Sequence, residues 1–132
     1  MNNANSTPHF KTEWIVNGGA SKEFVDFANS FGRTLKEGRL TSSQFRNFFG
    51  TLKSIEMKGL ADNKTKFYML KPLLAYAYAR NSTQGFRKFK DVMDTGLDFI
   101  MTVDENKQEK YFKNFCRIVE AILAYHRAHG GK

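Results

Sequence analysis

The chain has 132 residues, a formal net charge of +8 and one cysteine, Cys116. That length fits a single domain with a real core, which the 13 phenylalanines supply. The lone thiol excludes an internal disulfide and a cysteine-built zinc site and fits a reducing cytosol, while the charge favours polyanionic partners such as nucleic acid or acidic membrane surfaces.

Residues 1–20 are polar, rich in Asn and broken by Pro8 and Gly18-Gly19. They are expected to form a flexible N-terminal tail, in which Trp14-Ile15-Val16 could still stick to a partner or cover the core as a short anchored segment. The start has neither the charged opening nor the apolar run of a secretory signal. The apolar run from Phe67 to Ala79 is too short to span a bilayer and holds Lys71 and Pro72. The expectation is a soluble, cytoplasmic protein with no membrane partner.

Residues 21–132 are expected to fold as one all-α domain, a compact bundle of about five helices. The first starts at Ser21, an N-cap with Glu23 and Asp26 near its positive end, and stops at Gly38. Phe24, Phe27, Ala28, Phe31 and Leu35 form its apolar stripe, and Arg33, Lys36 and Arg39 cluster near its end. The second is framed by the pair Thr41 and Gln44, spaced as a capping box, and by Gly59. Phe45, Phe48, Phe49, Leu52 and Ile55 share one face, and at about 100° per residue Arg46, Gly50 and Lys53 share a flank beside it. Two cations separated by a residue without a side chain would let a phosphate backbone come close, with Asn47 as a neutral donor. The same cations could instead snorkel at the edge of a core, and the mid-helix glycine could let a neighbouring helix pack close. Glu56 falls on the apolar face, which points to a frayed last turn or a basic partner.

From about Asn63 to Arg80 the apolar residues show no single face, which predicts a buried central helix, kinked or restarted at Pro72. The next helix, Ser82 to Met101, buries Phe86, Phe89, Met93, Leu97 and Ile100. Its Asp91, Asp94 and Asp98 face away, and Arg87 and Lys90 stand four residues before the first two, so ion pairing is expected there rather than a metal site. The last helix, Glu105 to Ala128, carries Phe112, Phe115, Cys116, Val119, Ile122, Leu123 and His126 on one face. His126 reads as a hydrogen-bonded core histidine and Cys116 as an inert core thiol. Seven cations and no acid lie between Lys64 and Lys90, then six acids and one cation between Asp91 and Glu109, which predicts distinct basic and acidic regions.

No phosphate loop, nucleophile elbow, zinc motif or dinucleotide fingerprint appears, and no set of titratable groups converges, so neither an enzyme nor a cofactor is expected. A small helical DNA-binding regulator of helix-turn-helix type is the alternative. Its recognition helix would spend its bulk on phenylalanine rather than on base-reading groups.

Three segments, TSSQFRNFF, LLAYAYAR and EAILAYHRAHGGK, resemble signature segments of the small subunit of the type III-A CRISPR effector, the Csm complex. The likeness runs in order from about Phe24 to Lys132. It implies a small helical bundle without nuclease activity, stacked in several copies beside the backbone subunits. Those copies line the groove that holds the guide RNA paired with its target RNA and touch phosphates without reading sequence. The backbone subunit cuts the target, and the large subunit makes the cyclic oligoadenylate signal and degrades DNA. Within the matched segments the implied RNA-binding residues are Arg46, Arg80, Arg127 and Lys132. Lys53 joins them by helical geometry, and Arg39 by its place in the cation cluster next to Arg46.

Overall fold

Three helices begin where a hydroxyl reaches a first-turn amide that has no partner inside the helix. Ser21 Oγ accepts from Phe24 N at 3.1 Å and Thr83 Oγ1 from Phe86 N at 3.1 Å. The Thr41 and Gln44 capping box is complete: Thr41 Oγ1 accepts from Gln44 N at 3.1 Å, and Gln44 Oε1 from Thr41 N at 3.0 Å. The computed structural model describes residues 9–132 as α1 (Glu13–Asn17), α2 (Lys22–Glu37), α3 (Ser42–Lys58), α4 (Lys64–Arg80), α5 (Gln84–Thr102) and α6 (Glu105–Ala128). One 3-10 turn, Ala61–Asn63, leads into α4. The described residues form no strand. All-α is therefore correct, but the helices among the described residues number six rather than about five.

The additional helix is α1, inside the segment expected to be a loose tail. Trp14 and Ile15 are buried. The indole packs between Phe10, Phe24 and Phe27 at centroid distances of 5.7, 5.4 and 5.1 Å. Each such buried side chain contributes about 1.5–3 kcal/mol, which explains why so short a helix docks. Asn114 Nδ2, on α6, donates to the Ile15 carbonyl at 2.8 Å and so ties down a helix end. Residues 13–17 thus take the form of the short anchored segment that Trp14-Ile15-Val16 allowed, as a helical turn; residues 1–8 lie outside the described residues.

The helix at the centre is α6, which packs on α2, α3, α1 and α5, whereas α4 was expected there. α4 lies at the edge, mainly against α5 and only slightly against α3. It buries one stripe, Phe67, Leu70 and Leu74, and leaves Met69, Leu73 and Tyr76 at 49, 52 and 64% exposure. Apolar residues on every side of a helix mean surfaces to be covered, and here this chain covers only one of them. α4 is continuous, with Pro72 inside it.

Candidate nucleic-acid interface

The groove between α3 and α4 exists because α3 turns short side chains toward its neighbour. Asn47, Gly50, Thr51 and Ser54, at three- and four-residue steps, line it on one side, and Met69 and Leu73 on the other. Short side chains leave space unfilled between two helices that touch only slightly. A Cβ built on Gly50 meets no atom within 4 Å. Among the described residues, therefore, nothing packs close against Gly50.

Two adjoining hollows make up the groove. One, of about 560 Å³, carries Arg46 and Lys66; the other, of about 400 Å³, carries Arg80, and the two share Asn47, Thr51 and Leu73. Among the described residues no carboxylate lines either hollow. The Arg80 guanidinium lies 5.7 Å from the Tyr76 ring centroid, in cation–π range.

Lys53 behaves differently from its flank-mate Arg46. Its ammonium is bound to Glu56 at 2.6 Å, and the hydrogen bond to that carboxylate holds the Lys53 pKa above its usual value. Glu56, placed on the apolar face by the helical period, thus has its basic partner within its own helix.

Arg39 and Lys132 meet at the other end of α3. With Lys36, Leu40, Thr41 and Gly130 they line a depression of about 410 Å³. Arg39 has φ 72°, a left-handed conformation uncommon for a residue with a side chain, and its turn is pinned on both sides. Gly85 N donates to the Gly38 carbonyl at 2.7 Å, and the His126 imidazole contacts the Leu40 carbonyl through Nε2 at 2.7 Å. The C-terminal turn folds over the start of α3. Ser42 N donates to the Lys132 carbonyl at 2.6 Å, Ser42 Oγ to the Gly131 carbonyl at 3.2 Å, and Arg127 Nη1 to Ser42 Oγ at 3.1 Å. Arg39 also lines a hollow with Glu37, Gly38, Ser82, Thr83 and Gln84, directly after Arg80 and Asn81 in the chain, so this link in the tract holds one carboxylate beside the guanidinium. A run of neighbouring depressions thus carries Lys66, Arg46, Arg80, Arg39, Lys36 and Lys132.

Ion pairing does not by itself single out this face, since among the described residues Arg33, Lys58, Arg87, Lys88 and Lys113, which line none of these hollows, are also without an ion pair. Lys64 is bound to Glu105 at 2.6 Å, Lys90 to Asp94 at 2.8 Å, and Lys71 to Asp98. The expected separation into a basic and an acidic region is therefore partly cancelled between α4, α5 and α6. Among the described residues, Arg46, Lys66, Arg80, Arg39, Lys36, Arg127 and Lys132 have no carboxylate within ion-pair distance.

Reading the sequence missed Lys66 and the apolar wall of the groove. The signal for the wall was present, since a helix apolar all round needs two covers as readily as one burial.

The model of a protein family described as Csm2 Type III-A matches residues 19–132, from just before α2 through all the helices that build the interface. The chain belongs to the Csm2 family. It is a small structural subunit of the type III-A CRISPR Csm complex and assembles there with other Csm subunits. No curated protein and no solved structure matches the chain. The Csm2 match contains Arg46, Arg80, Arg39, Arg127 and Lys132, whereas α1 falls outside it. No helix among the described residues is long and apolar enough to cross a membrane.

Proposed function

We propose that this Csm2 chain is a non-catalytic RNA-binding subunit, working in the cytoplasm, that holds the backbone of guide RNA and target RNA without reading sequence. The observation that carries this reading is the run of depressions bearing Lys66, Arg46, Arg80, Arg39, Lys36 and Lys132, whose α3/α4 part contains no carboxylate among the described residues. Fixed cations of this kind displace counterions from phosphates and position a strand without telling one base from another. Arg127, bound to the Ser42 hydroxyl, stands beside the second cluster and adds to it. Copies of the chain stack along the RNA, as the family likeness implies, so each contributes a few phosphate contacts. Cutting of the target is left to a neighbouring subunit.

The test is a salt titration of RNA binding by the purified chain, on several unrelated sequences. Replacing Arg46, Arg80 and Arg39 by Ala is expected to weaken binding equally on all of them and to flatten the log–log salt dependence by about one unit per lost contact. Lys53→Ala should change little, because that ammonium is already committed to Glu56. Unchanged affinity in the triple variant, with helicity intact by circular dichroism, would remove the interface from this face. A single tight duplex-DNA site that survives raised salt would favour the helical regulator instead.

A further inference from the structure

The hollow beside Arg80 is built differently from the phosphate-facing tract around it. Its floor is apolar, from Leu70, Leu74, Ala77 and Phe86, and the rings of Phe48 and Tyr76 also line it. Its rim is polar. Asn47 and Asn81 carry side-chain amides that make no hydrogen bond among the described residues, and Arg80 stands against the exposed Tyr76 ring. At about 400 Å³ it falls within the range of small-molecule sites, about 300–1,000 Å³.

A phosphate alone would gain nothing from the leucines. An acyl chain would use the apolar floor but none of the exposed amides or the guanidinium on the rim. A nucleobase meets both demands, with a flat face for the rings and a donor and acceptor edge for the amides. The adjoining hollow holds Arg46 and Lys66, and Gly50 leaves open space there for a close sugar-phosphate strand. Bases inside an unbroken duplex are stacked and cannot enter such a hollow.

We propose that the hollow lined by Phe48, Tyr76, Asn47, Asn81 and Arg80 takes the base of one unpaired nucleotide, with the flanking phosphates at Arg46, Lys66 and Arg80. The protein then prefers RNA with an unstacked nucleotide over continuous duplex. This rests on the RNA-binding reading above and adds a structural preference to it.

The test compares three RNAs on the full chain: a perfect duplex, the same duplex with a single-nucleotide bulge carrying 2-aminopurine, and the free single strand. The bulged duplex should bind about tenfold more tightly than the perfect one, the order expected of one base–aromatic stack. Tyr76→Ala should abolish that advantage, bringing the ratio of bulged to perfect duplex affinity to about one, and abolish the change in 2-aminopurine emission on binding; because the ring also supports Arg80, the ratio is the readout and not either affinity alone. Tyr76 is 64% exposed and alanine suits a helix interior, so this variant should fold. Arg46→Ala, in contrast, should weaken all three. Equal, salt-sensitive binding of bulged and perfect duplex by the unmodified protein would overturn the base site and leave phosphate binding standing. No salt-sensitive binding to any of the three would overturn both. A changed oligomeric state in Tyr76→Ala, with RNA preference intact, would assign the face to contact between copies of the chain and reject the base site.

Discussion

Gly85 donates its amide to the carbonyl of Gly38 at 2.7 Å, so the first turn of α5 rests directly on the end of α2. A Cβ on Gly85 would come within 2.6 Å of the Leu35 carbonyl and 2.7 Å of Gly38 backbone atoms, none of which can step aside cheaply. Gly85→Ala should therefore destabilise the fold by about 1–3 kcal/mol, as overpacking does. A denaturant titration reads this. An unshifted midpoint would mean that the two helix ends can separate at little cost.

Gly50→Ala should do the opposite. The new Cβ meets open space in the middle of α3, and alanine restricts the unfolded chain, so a gain of about 0.4–1 kcal/mol is expected. Gly50→Leu should fill the groove and weaken RNA binding while the fold persists. If the leucine variant binds RNA as well as its parent, the strand does not run past this position.

Below neutral pH the fold should lose stability through His126. Burial holds its pKa below the usual 6.5, the contact with the Leu40 carbonyl opposes the shift, and Arg127 adds to it. The unfolded chain therefore takes up the proton first as pH falls. Stability is complete above about pH 6.5 and declines as pH drops through that value, until the folded imidazole itself titrates. Unfolding measured at about pH 7.5 and about pH 5.5 should show this loss, and His126→Gln should remove its share. An identical slope in the variant would assign the effect to other groups.

Cys116 should be silent in the folded chain. Burial, with Glu56 nearby, pushes its thiol pKa up to about 12, so almost no thiolate exists near neutrality. An aromatic disulfide reagent should label it only as the protein unfolds. Rapid labelling under native conditions would reveal opening between α3 and α6.

The helix ends and core stripes were legible in the sequence because the chemistry that sets them is local. Ser21, Thr41 and Gly59 act on residues within a turn or so, and the phenylalanine spacing repeats the helical period. For α1 the apolar run Trp14-Ile15-Val16 showed that an anchor was available, but not that it would be a helix or where it would dock, because its stability comes from Phe24, Phe27 and Asn114, all distant in the chain or beyond its own turn. The position of α4 could not follow from its composition, which shows how much must be covered and not by which neighbour. At the interface, helical projection correctly paired Arg46 with Gly50 on the groove side. It could not rank the partners available to Lys53, whose long stem finds Glu56 one turn on. The meeting of Arg39 with Lys132 depends on the C-terminal turn closing over α3, across most of the chain.

That closure bears on how the protein should be handled. With the Lys132 carbonyl seated on the Ser42 amide, a purification handle fused after residue 132 would begin inside the hollow that holds Arg39 and Lys36. It would crowd those cations and distort the ionic-strength response being measured, so binding assays call for material from which any such appendage has been cut away.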